Sequence, residues 1–370
     1  MLYSLIILIK QPQIVIMSGE QASKSPSPPV ATGSPPDAGA TGILPATHWA
    51  EQEITDDADS ALGADAASST ASLATSILEY RTVHGRTFHS DRVTDHQYWG
   101  PNDEKQSESA DLIHHTLLLV LDGKLTLAPI PSDIKKVLDV GTGTGSWAMD
   151  FADEHPDCQV IGTDISPIQP GWVPPNLLFE IEDATSPWTF APNSFDFVHM
   201  RYLFGAFSDW NAVYREAFRV TKPGGWIESF EASSQFESDD GTVAEGSPMD
   251  QWGKVYQEAG KRWGRSFSVI DDNVQVPGIE AAGFVDVKVV DGKLPLNGWM
   301  PDAKWKEIGQ FCRLALEQDI EGYILFIWTQ VMGWTPDETK VFIAHLRRQL
   351  RDPKMHAYFK YRIVTARKPE

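Results

Sequence analysis

The residues best suited to chemistry lie in one short stretch, residues 137–151, where an acid precedes three alternating glycines. The stretch reads VLDVGTGTGSWAMDF, and its candidate ligand contacts are Asp139, Gly141, Thr142, Gly143 and Gly145. The apolar, β-branched run before the glycines favours a buried parallel strand, and the residues after them have helical spacing. Glycine allows a sharp turn and a close approach of the backbone to a ligand. The pattern predicts the strand, turn and helix that open a nucleotide-binding sheet.

The glycine spacing narrows the choice of ligand. A dinucleotide fingerprint has the spacing G-x-G-x-x-G, and the position of its third glycine is occupied here by Ser146. An acid before the first glycine is also unusual for that fingerprint. The spacing therefore favours a cofactor without a pyrophosphate over a nicotinamide dinucleotide.

A second acid follows the next predicted strand. Asp164 ends the segment CQVIGTD, about 20 residues past the glycines, where doubly wound sheets place a carboxylate on ribose hydroxyls. A carboxylate suits that task because it offers only hydrogen-bond acceptors. The alternative role is the N-cap of a helix before Ser166-Pro167.

Alternating strands and helices surround these acids and predict an α/β fold with a mostly parallel sheet. The predicted strands are 137–140, 160–164, 177–183, 195–198, 226–231, 283–290 and one within 356–368. A long helical insertion, residues 302–351, precedes the last strand, which is expected to be antiparallel. Because ligands bind at the carboxyl ends of such strands, we expect Asp139, Asp164, Asp183 and His199 at one edge.

The chain before this sheet divides into two parts. Residues 1–76 are rich in Ser, Ala, Pro and Gly, which predicts a disordered tail. Residues 1–16 are interpreted as an extension of the gene model before Met17 or as part of a minor isoform, with a weak signal anchor as the alternative. Residues 77–370 are predicted as one folded domain, whose first part, residues 77–121, forms an arm that ends in an amphipathic helix.

Several segments together resemble the fungal LaeA-like methyltransferases. They are DVGTGTGSWAMDFADEHP, VIGTDISPIQPGWVPPN, FDFVHMR and TKPGGWIE, and the resemblance extends from about Tyr80 to Pro369. It implies a Rossmann-like class I methyltransferase fold, S-adenosylmethionine as methyl donor, residence in the nucleus or cytoplasm, and a role in secondary metabolism. On this resemblance Asp183 lies beside the adenine, Ala184 supplies a backbone N–H, and Ile165 joins Asp164 as a cofactor contact.

The acceptor side has one candidate for proton transfer. His199 follows the predicted fourth strand, and the ordinary pKa of histidine suits a general base near neutrality. A structural role is the alternative. Further residues expected to line the substrate pocket are Arg201, Tyr202, Trp328 and Trp334, with core packing as the alternative for both tryptophans.

Composition excludes some partners. The formal net charge is −20, which disfavours nucleic acids and anionic membranes. The two cysteines are too few for a disulfide framework or a zinc site, and no metal is predicted. Three functions remain open: a methyltransferase acting on a small molecule or a protein, a cofactor-binding regulator that acts through protein partners, and a disfavoured NAD-dependent oxidoreductase.

Overall fold

The computed structural model describes residues 42–52, 75–94 and 96–370. The strands in these ranges are β1 (Arg81–Val83), β2 (Arg86–Phe88), β3 (Lys136–Val140), β4 (Gln159–Asp164), β5 (Leu177–Ile181), β6 (Phe195–Arg201), β7 (Thr221–Ala232), β8 (Val285–Pro295) and β9 (Tyr358–Arg367). The α-helices are α1 (Ala46–Ala50), α2 (Glu104–Val120), α3 (Ser146–Glu154), α4 (Trp210–Val220), α5 (Pro248–Trp263), α6 (Gln275–Ala282), α7 (Ala303–Gln318), α8 (Ile320–Phe326) and α9 (Pro336–Arg351).

Within the described ranges, β3 to β9 form one seven-stranded sheet with the order β5-β4-β3-β6-β7-β9-β8. The pairs from β5 to β7 are parallel, and β9 is antiparallel to both of its neighbours. The predicted fold class is confirmed, including the antiparallel last strand. The helical insertion is also present, because α7, α8 and α9 lie between β8 and β9.

Local sequence explains where these elements begin. β3 lies in the middle of the sheet, and its Val137, Leu138 and Val140 are almost fully buried, as expected of a strand covered on both faces. Helix α9 begins with a capping box between Thr335 and Glu338, as its sequence predicts. Strand β7 begins at Thr221, directly after α4, so the Lys-Pro-Gly-Gly segment belongs to the strand.

The largest hydrophobic cluster includes side chains of β7, β8 and β9, such as Phe230, Leu294 and Ile363. It joins α5 with the insertion helices α7 to α9, and Trp328 and Trp334 are among its members. This packing holds the insertion against the sheet domain. No helix in the described part of the chain is long and apolar enough to cross a membrane.

One part of the predicted tail is ordered, which corrects the assignment of residues 1–76. Residues 42–52 include α1, and Ile43 and Trp49 are each 1% exposed. The Trp49 ring packs against Phe342 of α9, and its carbonyl accepts a 2.9 Å hydrogen bond from Nε2 of His345. A few apolar side chains in a polar segment are enough to dock it. The predictions for residues 1–41 and 53–74 lie outside the described residues.

Candidate functional site

A cavity of about 250 Å³ opens at the carboxyl ends of β3 to β6. It brings together most of the residues singled out by the sequence: Asp139, Gly141, Thr142, Gly143, Asp164, Ile165, Asp183, Ala184, His199, Arg201 and Tyr202. Gly145 does not line it, and instead precedes α3 as the N-cap. Thus four separate strand ends converge on one space, as parallel-sheet geometry requires.

The glycine turn depends on glycine at its two ends. Gly141 has a φ of +66°, and a Cβ added there would lie 2.5 Å from Cδ2 of Leu203. Gly145 has a φ of +83°, and a Cβ there would overlap the ring of Phe179. Gly143 also has a positive φ, but a Cβ added there would have no neighbouring atom within 4 Å. The turn is therefore set both by backbone conformation and by the tight packing of its neighbours.

Asp164 holds the glycine turn from the neighbouring strand. Its Oδ2 accepts a 2.8 Å hydrogen bond from Gly143 N, and its Oδ1 accepts one of 2.9 Å from Ser166 N. Burial raises the pKa of Asp164 to about 6, although these backbone hydrogen bonds act in the opposite direction. The carboxylate also lines the cavity, where its remaining lone pairs can accept ligand hydroxyls. This position fits the predicted ligand contact, whereas the alternative of a helix N-cap is wrong, because none of the described residues between β4 and β5 begins a helix.

Asp139 and His199 form a buried pair below the turn. Nδ1 of His199 donates a 2.7 Å hydrogen bond to Oδ1 of Asp139. The other carboxylate oxygen of Asp139 accepts a 2.6 Å hydrogen bond from Oγ1 of Thr142. His199 lies within β6 rather than after it, and it is 1% exposed. Its ring stacks on Trp147 with centroids 3.7 Å apart and planes 5° from parallel. These contacts fix the imidazole in place.

Asp183, which follows β5 at the carboxyl edge of the sheet, connects this edge to the arm. Its Oδ2 accepts a 2.6 Å hydrogen bond from Thr94 Oγ1, while its Oδ1 accepts one of 2.9 Å from Thr185 N. The carboxylate lines the cavity together with Ala184, but no local pattern in the sequence indicated its partner in the arm.

The arm forms the roof of the cavity through further contacts that the sequence missed. Nε1 of Trp99 donates to the carbonyl of Phe204, and Nδ2 of Asn102 donates to Ser166 Oγ. Trp99 and Asn102 are buried although they lie in an irregular segment. The only available signal was the unusual density of aromatic and polar side chains there, which marks an ordered segment without showing where it docks.

Arg201 brings a cation to the cavity wall. Its Nη2 donates to Nδ1 of His114 at 3.1 Å, which leaves the proton of that ring on Nε2, 2.9 Å from Asp150 Oδ2. No carboxylate in the described residues lies within ion-pair distance of Arg201. Burial lowers the pKa of Arg201, and the nearby Asp139 opposes the effect. The guanidinium is thus positioned to bind an anionic group.

The two predicted pocket tryptophans lie elsewhere. Trp328 is fully buried against Trp252, Tyr256 and Phe342, and Trp334 packs on the same cluster. Neither lines the cavity, so their place in the substrate wall is corrected to core packing. The wall residue that the insertion does supply is Tyr323. Among the described residues, no cluster of His, Cys, Asp or Glu is arranged to hold a metal ion.

Comparisons with known proteins give consistent results. Residues 89–268 match a family described as a methyltransferase domain. The chain is 33% identical over 306 residues to the methyltransferase pytC of Aspergillus terreus, covering 82% of this chain and 93% of that protein. It is 31% identical over 288 residues to the secondary metabolism regulator laeA of Monascus pilosus, covering 77% of each chain.

Solved structures give a more distant likeness. Phosphoethanolamine N-methyltransferase 2 of Haemonchus contortus, in complex with S-adenosyl-L-methionine, aligns with 70% of this chain and 53% of its own, at 18% identity and a TM-score of 0.43.

Proposed function

This chain belongs to the fungal LaeA-like family of S-adenosylmethionine-dependent methyltransferases, and from that membership we propose that it methylates a small molecule of secondary metabolism. The observation that carries the choice of acceptor is the roofed cavity. The arm is tied across it by Thr94 to Asp183 and by Trp99 to Phe204. A roof of this kind favours an acceptor small enough to be enclosed.

The residues of the cofactor half fit S-adenosylmethionine by their chemistry. Asp164 offers carboxylate oxygens for ribose hydroxyls, and Asp183 and Ala184 lie at the next strand end, where we expect the adenine. Arg201 offers a buried cation for the carboxylate of the methionine part. The glycine turn lets that part approach the backbone. No pyrophosphate-binding glycine is needed, which agrees with Ser146.

Bound S-adenosylmethionine supplies an activated methyl group. When the methyl carbon bonds to a lone pair of the acceptor, its bond to sulfur breaks and the electron pair remains on sulfur; a proton on the acceptor atom passes to water or a base. The protein contributes alignment, because holding two reactants in line can supply roughly 7–11 kcal/mol of the barrier. His199 was the candidate base, but it is 1% exposed and its ring lies flat against Trp147, so we propose that it positions the turn through its hydrogen bond to Asp139.

A regulatory function is the second candidate, because relatives at similar identity are secondary metabolism regulators. A regulator would need protein partners and, for control of gene expression, access to the nucleus. A metabolite methyltransferase could act in the nucleus or the cytoplasm.

A transfer experiment separates these candidates. The full-length protein is incubated with S-adenosylmethionine labelled in its methyl group and with either the small-molecule or the protein fraction of a fungal extract. We expect label in small molecules, lost with Asp164→Ala. Label found only in proteins would overturn the small-molecule acceptor. Tight cofactor binding with no label in either fraction would favour the regulatory candidate.

A further inference from the structure

A second, inner chamber lies directly behind the main cavity and has a volume of about 80 Å³. Five side chains line both spaces and form the partition between them: Trp99, Ile113, Tyr202, Phe204 and Tyr323. The far walls include Ala232, Trp252, Cys312 and Leu316, each no more than 6% exposed. The chamber therefore extends the acceptor side of the main cavity into the protein interior.

The inner chamber has an apolar surface with few free polar atoms. Four of the side chains on its walls have hydroxyl groups that already make hydrogen bonds to other residues: Ser233, Ser234, Tyr256 and Tyr323. Two buried polar atoms of the lining side chains have no partner among the described residues: the hydroxyl of Tyr202 and Nε1 of Trp252. Leaving such a group unsatisfied costs free energy, so a buried orphan at a cavity wall points to a ligand.

Tyr202 is singled out by a second observation, its backbone. Its φ is +58°, a left-handed conformation that is strained for a bulky residue. The strain is held in place by its neighbours, because Tyr202 N donates to Phe230 O and the Glu231 carboxylate accepts from the next two backbone N–H groups. The conformation sets the phenol between the two spaces.

The chemistry of that phenol is also defined. Burial raises the pKa of Tyr202 above its usual range, and the thiol of Cys312, a chamber residue, adds to the shift. The hydroxyl therefore keeps its proton at physiological pH and is available as a hydrogen-bond donor.

We propose that the inner chamber binds an apolar group of the methyl acceptor, about the size of one aromatic ring, and that Tyr202 donates a hydrogen bond to an oxygen on that group. This inference rests on the proposed function, because it names the class of the small-molecule acceptor. One water molecule needs roughly 10–15 Å³ of cavity volume, so a chamber of about 80 Å³ has room for about six non-hydrogen atoms. Tyr202 acts as a specificity-determining residue rather than a catalytic one.

The test uses phenol and benzene as probes, since they differ only in the hydroxyl that Tyr202 would bind. Ligand-observed NMR titrations are made on the full-length protein saturated with S-adenosylmethionine. We expect phenol to bind more tightly than benzene. Tyr202→Phe should lower the affinity for phenol about 3- to 10-fold, the range expected for one buried neutral hydrogen bond, and leave the affinity for benzene unchanged. Tyr214→Phe is the control, because Tyr214 is a buried tyrosine that lines neither space.

Filling the chamber tests its location. Ala232→Leu places a larger side chain into it from β7, and Cys312→Met does so from α7 if the first variant fails to fold; neither residue lines the main cavity. Both should lower affinity for both probes at least 10-fold with S-adenosylmethionine affinity unchanged. Equal phenol binding by the wild type and a folded filled variant, or no phenol binding by the wild type, would overturn the proposal. Failure to bind S-adenosylmethionine would instead overturn the proposed function.

Discussion

Nδ1 of His199 donates a 2.7 Å hydrogen bond to Oδ1 of Asp139, and this buried pair supports the glycine turn from below. The other oxygen of Asp139 accepts from Thr142, a residue of the turn itself. A histidine on β6 is thus linked through Asp139 to a loop that follows β3. We therefore propose that His199 positions the turn, and the variant below distinguishes this role from proton transfer through Nε2.

Replacing this histidine should therefore affect cofactor binding more than turnover. We expect His199→Ala to lower S-adenosylmethionine affinity about 10-fold by calorimetry, since Asp139 then keeps a buried charge with one partner fewer. His356→Ala is the matched control, because its Nδ1 also bonds an aspartate, Asp240, but on the surface. A large loss of kcat with unchanged affinity would restore the general-base interpretation.

Cofactor affinity should depend on pH through Asp164. Its pKa is raised from 3.8 to about 6, and ribose hydroxyls need the ionised carboxylate as acceptor. We expect calorimetric affinity to increase as pH rises through 6, and Asp164→Asn to weaken binding about 10-fold at pH 8 and to flatten this profile. The stability of the fold should depend on pH in the opposite direction. Because the pKa of Asp164 is higher in the folded state, its contribution to stability is fully present below pH 3.8 and is lost as the pH rises through about 6. An unchanged pH profile in Asp164→Asn would contradict the assignment.

The end of the glycine turn offers a steric prediction. Gly145→Ala should abolish measurable S-adenosylmethionine binding, because a left-handed backbone and contact with the Phe179 ring both oppose a Cβ there. Gly123→Ala is a control with a φ of +79° and open space around it, so it carries the backbone strain alone. Binding that is equally reduced in the two variants would show that packing against Phe179 has no part in the effect.

Docking of residues 42–52 predicts a stability effect remote from the cavity. Trp49→Ala should lower the free energy of unfolding by about 3–5 kcal/mol, the usual range for a buried aromatic side chain. Trp172 is 85% exposed and serves as the control: Trp172→Ala should change the free energy of unfolding by less than about 0.5 kcal/mol. Denaturant titration measures both. A Trp49 variant as stable as the wild type would mean that this segment does not stabilise the domain in solution.

The sequence by itself determined the sheet and the edge at which the candidate site lies. Strand periodicity and glycine spacing are local signals, and in a parallel sheet the carboxyl ends of successive strands must meet. Asp139, Asp164, Asp183 and His199 could therefore be assigned to one site without coordinates. Capping residues such as Thr335 likewise act within one turn of the helix they begin.

Only the tertiary structure decided which partners these residues have. Thr94 bonds Asp183 across 89 residues, and His345 bonds the carbonyl of Trp49 across 296. Such contacts depend on how the arm, the insertion and the N-terminal segment pack together, and no local pattern encodes that packing. For the same reason Trp328 and Tyr323, a few residues apart in one apolar run, lie in the core and in the cavity wall respectively. The methyl donor could be inferred from local motifs and the family resemblance that they carry, whereas the shape of the acceptor site arises from long-range packing.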